Sequence, residues 1–80
     1  MTKPHPAYFA LAIARGRMDK QMSQRQLAKA VGVSHSYISH VEAGRRWPSL
    51  STLIRIGEVL CFRVELVRGV TAELNPLANR

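Results

Sequence analysis

Two serines, Ser23 and Ser34, each stand where a helix can begin, and the amphipathic run between them stops at Gly32. Gln26 follows Ser23 by three residues. At that spacing the serine hydroxyl accepts a backbone N–H while the glutamine side chain reaches back to the serine's own N–H. Leu27, Ala28 and Val31 then share one side of a helix, with Gln24, Arg25 and Lys29 on the other. Gly32 supplies the left-handed residue that ends such a helix without a Cβ clash. Only Val33 separates it from Ser34, which opens a second helix through about Ala43. Ile38 and Val41 face inward on that helix, and His35, Ser36, Ser39 and His40 form an outward polar strip. Helices joined by so short a turn must cross steeply.

The flanks predict two further helices. The first runs from about Ala7 to about Lys20 and offers Tyr8, Leu11, Ile13, Ala14 and Met18 for an inner face. Gly16 weakens it by roughly 1 kcal/mol relative to alanine. Gly44 ends the second motif helix, Arg45-Arg46-Trp47-Pro48 makes a basic loop, and Ser49 caps a helix from about Leu50 to Leu60. Leu50, Leu53, Ile54, Gly57 and Leu60 line one face of it. Trp47 is expected to pack within the loop or core rather than to stack on sugar-phosphate or meet a partner protein.

After Cys61, expected to be a small buried hydrophobe, the period changes to two: Phe62, Val64 and Leu66 alternate with Arg63 and Glu65. That pattern predicts a strand. A lone strand leaves its backbone donors and acceptors unpaired, and the rest of the chain shows no second strand pattern. The expected partner is therefore the same strand of a second copy, antiparallel across a two-fold axis, with Phe62, Val64 and Leu66 as its dimer residues. The chain divides into a disordered arm (1–6), a helical domain (7–61), the dimerisation strand (62–68) and a flexible tail (69–80) that contains Asn75-Pro76.

Eighty residues hold one small core, and chains of this size often gain stability by oligomerising. Twelve Lys and Arg against five Asp and Glu leave a net charge of +7, which favours a polyanionic partner. A membrane surface would call for an amphipathic helix with a dense basic face or a lipidation site, and neither is evident. The start lacks the apolar core of a secretory signal, so a cytoplasmic protein is expected. One cysteine excludes a disulfide framework. Enzyme chemistry fails on inventory: there is no glycine-rich phosphate loop and no paired carboxylate spacing. His35 and His40, at i and i+5, lie off the common face that i, i+4 gives a metal. No cofactor is expected.

The run Met22-Ser23-Gln24, Leu27-Ala28, Val31-Gly32-Val33-Ser34, Ile38-Ser39, Glu42-Ala43-Gly44 and Pro48-Ser49 strongly resembles the repressor class of helix-turn-helix proteins. That class includes the phage lambda and 434 repressors, Cro and the xenobiotic-response-element family. The resemblance covers roughly residues 13–60 and implies a mainly α, four- to five-helix DNA-binding domain. Here its C-terminal β-strand would pair across a dimer. Gly16 and Trp47 depart from the family pattern.

By the resemblance, the second motif helix enters the major groove with its N-terminal residues at base edges. His35, Ser36, Ser39 and His40 should then read bases, and Tyr37 reaches a base or a phosphate. Gln24 matches the position that grips the DNA backbone, where a helix N-terminus favours a phosphate. Arg25, Arg45 and Arg46 are the cationic candidates for phosphate, while Lys29 and Arg55 are solvated. Glu42 would repel DNA if free, and the resemblance pairs it with Arg17 as an internal ion pair. The expected function is a sequence-specific regulator of double-stranded DNA, a repressor binding a palindromic operator as a homodimer. The strand after the last helix also resembles HipB-like antitoxins, which neutralise a toxin protein and bind their own operator. A protein-interaction adaptor without DNA is disfavoured by the charge and the Arg45-Arg46 loop.

Overall fold

A computed structural model describes the backbone of residues 6–67 and 71–76 and the side chains of residues 7–62. The elements are α1 (Pro6–Asp19), α2 (Gln24–Val31), α3 (His35–Glu42), α4 (Leu50–Leu60), β1 (Phe62–Val67) and β2 (Thr71–Pro76). Residues 1–5, most of the expected arm, lie outside the described residues, as do 68–70 and 77–80.

Local chemistry sets the helix boundaries. The Ser23 hydroxyl accepts the Gln26 N–H at 3.0 Å, and the Gln26 side chain accepts the Ser23 N–H at 2.7 Å, closing the predicted capping box. Ser34 and Ser49 cap α3 and α4 by accepting the N–H groups of Tyr37 and Thr52. Gly32, at φ +86°, ends α2, and the Ala28 carbonyl accepts from both Gly32 and Val33. α3 stops one residue before Ala43, its C-cap. Gly44 follows at φ +75°.

The core joins Phe9 and Ile13 of α1, Leu27, Ala28 and Val31 of α2, Ile38 and Val41 of α3, and Leu53, Ile56 and Leu60 of α4. α2 packs on α3 and α4, and α1 packs on the same two helices. The small Ala28 sits in this core beside Val31, and Val33 packs against its edge.

Of the residues expected on the inner face of α1, only Ile13 is fully buried. Phe9, Ala10, Ile13 and Gly16 are buried, whereas Tyr8, Leu11 and Met18 are exposed and Ala14 is half-buried. Residues 7–14 are apolar without interruption, so hydrophobicity does not select a phase. The contacts of Arg17 with α3 and of Gly16 with the chain after α4 select it instead. On α4, Leu53, Gly57 and Leu60 face inward as expected, joined by Thr52 and Ile56, while Leu50 and Ile54 are exposed.

Two expectations beyond α4 are corrected. Cys61 is exposed: it closes α4 in the left-handed conformation, φ +66°, where the chain leaves the helix and its inner face. β1 spans the expected residues, but its partner is in the same chain. Thr71–Pro76 pairs antiparallel with it, with Val64 opposite Leu74 and Phe62 opposite Pro76. The hairpin satisfies the backbone groups along one edge of β1 and leaves the other edge open to pairing. Part of the segment expected to be a flexible tail is thus a strand. The side chains of Val64 and Leu66 lie outside those described.

Candidate nucleic-acid interface

Glu42 stands at the centre of a polar network that ties α1 and α2 to both ends of α3. Arg17 Nε donates to Glu42 Oε2 at 2.8 Å and Arg17 Nη2 donates to Glu42 Oε1 at 3.0 Å, a two-pronged pair. The Arg17 side chain is 16% exposed and that of Glu42 only 6%. The remaining prong, Nη1, donates to the Met22 carbonyl at 2.8 Å and so holds the approach to α2. This is the ion pair that the resemblance implies, and it removes the Glu42 charge from the DNA-facing account.

The sequence does not reveal that Gln24 belongs to the same network. Its Nε2 donates to Glu42 Oε1 at 3.0 Å, and its Oε1 lies 3.2 Å from His35 Nε2. Both ends of the amide are therefore engaged in the free protein. What remains for a phosphate at this helix start is the second amide hydrogen and the unpaired backbone N–H groups of the first turn. The signal for these bonds is weak in sequence because the partners are 18 and 11 residues apart.

Along α3, Ser36 and His40 are exposed and His35 and Ser39 half-buried, while Ile38 and Val41 are fully buried. Among the described residues the side chains of Ser36, Ser39 and His40 make no hydrogen bond. They form a strip of uncommitted donors and acceptors on one helix face. His35 is the exception, held by Gln24.

Tyr37 is more constrained than a free contact residue. Its hydroxyl accepts the Ser49 N–H at 3.0 Å, at the cap of α4, and its ring lies 4.7 Å from the Arg46 guanidinium. A cation over an aromatic face is attracted by the ring quadrupole, so Tyr37 steadies one of the two loop arginines. Arg25, Arg45 and Arg46 are all exposed, as are Lys29 and Arg55. Trp47 meets Phe9 edge-on at 5.8 Å yet stays 46% exposed, so it packs with one side only. Among the described residues no helix is long and apolar enough to cross a membrane.

Comparison with known proteins supports the same picture. A helix-turn-helix family profile matches residues 13–60. The chain is 48% identical over 52 residues to the ImmF control region 10 kDa protein of Bacillus phage phi105, across 65% of this chain and 58% of that protein. It is 36% identical over 53 residues to the immunity repressor protein of the same phage, across 66% of this chain and 37% of the repressor. The chain thus spans about half the length, or less, of these relatives. Among solved structures, the restriction-modification controller protein C.AhdI of Aeromonas hydrophila superposes with a TM-score of 0.66 at 31% identity, covering 69% of this chain and 83% of that one. The clp gene regulator ClgR of Corynebacterium glutamicum superposes with a TM-score of 0.68 at 32% identity, covering 71% and 61%. Four helices around one core, an internal Arg17–Glu42 pair and a family match over residues 13–60 agree: the chain belongs to the Cro/C1-type helix-turn-helix family.

Proposed function

We propose that this protein is a repressor that binds a palindromic operator as a homodimer, with His35, Ser36, Ser39 and His40 at base edges. The observation that carries the reading is the division of α3: its apolar residues are fully buried, while Ser36, Ser39 and His40 are left without partners among the described residues. In this fold the N-terminal part of that helix enters the major groove. Gln24, Arg25, Arg45 and Arg46 take the phosphates. Tyr37 acts beside them through Arg46 rather than at a base.

Dimerisation follows from the reading task. One helix start reads too few base pairs to find a site, and two helices about 34 Å apart meet half-sites one helical turn apart. With one edge of β1 taken by β2, a strand shared between copies would pair through the other edge. The exposed Trp47, Leu50 and Ile54 offer an apolar surface as well. The antitoxin alternative rests on the same shared strand.

Titrating the chain into labelled mixed-sequence duplex over a series of salt concentrations, with sedimentation of the free and bound protein, tests the proposal. Tight, steeply salt-dependent binding by a species of twice the chain mass supports it. A chain that stays monomeric on DNA, or binds no duplex at about 50 mM salt, contradicts it.

A further inference from the structure

The network around Glu42 decides which nitrogen of His35 carries its proton. A carboxylate paired with a guanidinium only accepts hydrogen bonds, and both Glu42 oxygens accept from Arg17. Any group that reaches Glu42 Oε1 must therefore donate. For Gln24 this fixes the amide orientation by chemistry: the NH₂ faces Glu42, and the carbonyl oxygen faces His35. A carbonyl accepts, so His35 Nε2, 3.2 Å away, must be the donor. A neutral imidazole has one N–H. Nδ1 is left with a bare lone pair and has no partner among the described residues.

We infer that the Arg17–Glu42–Gln24 relay locks neutral His35 in the Nε2–H form, so that His35 presents an acceptor to DNA and takes an exocyclic amine, adenine N6 or cytosine N4. Resting on the base-reading role proposed above, this narrows what the residue selects. Guanine N7 and O6, thymine O4 and phosphate oxygens are all acceptors and are refused by Nδ1. Glu42 and Arg17 thereby become positioning residues for recognition, acting through Gln24 without touching DNA. A histidine free to exchange tautomers would accept either kind of base edge, and the relay removes that freedom.

Two experiments on the full chain separate the relay from the DNA contact. The first is a ring ¹H–¹⁵N correlation spectrum of the labelled protein at about pH 8, above the ordinary imidazole range near 6.5. The exposed His40, with no partner among the described residues, is the reference inside the same spectrum. His35 should show fully protonated Nε2 and bare Nδ1 shifts, against averaged shifts for His40. Gln24→Met keeps the length of the side chain without its amide, and should move His35 to the averaged values while the backbone spectrum stays folded. A proton on Nδ1, averaged shifts in the wild type, or shifts unmoved by Gln24→Met overturns the relay.

The second uses a duplex selected by the wild type from a random pool. Adenines and cytosines are replaced singly by analogues with hydrogen in place of the amine. One position per half-site should cost the wild type about tenfold in affinity, and the same replacement should cost His35→Ala nothing. If no amine deletion depends on His35, the base assignment is overturned. If the wild type selects no duplex, the DNA-reading role itself falls, and the ring shifts still decide the relay.

Discussion

Gly16 of α1 lies against the ring of Phe62: a Cβ added to Gly16 would stand 2.6 Å from Phe62 Cε2 and 3.1 Å from Cζ. The glycine that looks like a flaw in the first helix is the place where the chain leaving α4 packs onto it. Leu60 Cδ1, at 3.3 Å from the same point, closes the third side.

This geometry reverses the usual effect of replacing a helical glycine. At an open position Gly16→Ala would stabilise by about 1 kcal/mol. Here the methyl must displace the Phe62 ring at an overpacking cost of about 2 kcal/mol, for a net loss near 1 kcal/mol. In a Phe62→Ala background the same substitution should stabilise. A double-mutant cycle by urea denaturation checks the change of sign; equal effects in both backgrounds would refute the contact.

Arg17→Met strands the nearly buried Glu42 carboxylate. The expected loss is about 3 kcal/mol, because the unpaired charge keeps its desolvation penalty. The Arg17→Met, Glu42→Met double variant should be more stable than the Arg17→Met single variant. Arg17→Lys should recover little, since a lysine cannot serve both carboxylate oxygens and the Met22 carbonyl in the planar fork that arginine presents. Thermal and denaturant unfolding of the three proteins measures this directly.

How far the sequence foretold these features depended on whether the cause was local. The caps at Ser23, Ser34 and Ser49, the turn at Gly32 and the inner face Leu27-Ala28-Val31 are written within four residues of where they act. The phase of α1 is not, because no charged residue interrupts 7–14, and only contacts with distant residues decide which of them face inward. The Arg17–Glu42 pair was legible through family resemblance alone, at a separation of 25 residues. Gln24 looked like a surface residue because nothing nearby shows that Glu42 and His35 converge on it. The second strand was hidden by Asn75 and Pro76, which read as turn residues even though Ala72 and Leu74 alternate with Thr71 and Glu73.

Tyr37→Phe removes the acceptor for the Ser49 N–H and keeps the ring beneath Arg46. Stability should fall by about 1 kcal/mol, and the salt dependence of duplex binding should not change. Tyr37→Leu also removes the ring, so binding should weaken further. A salt slope altered by Tyr37→Phe would show that the hydroxyl itself meets a phosphate.

Arg45→Ala should lower the steepness of log affinity against log salt by about 0.9, the share of one phosphate contact, with equal effect on selected and mixed-sequence duplexes. Anisotropy titrations at four salt concentrations measure it. An unchanged slope would place Arg45 away from the DNA.

Base reading by the outward face of α3 is tested by comparing the duplexes selected from one random pool by the wild type and by the Ser36→Ala, His40→Ala double variant. The wild type should enrich a two-fold symmetric site bound at least about 10³-fold more tightly than random duplex. The double variant should unfold at the same temperature and lose most of that preference. Identical selected sites and identical discrimination in the two proteins would contradict the claim.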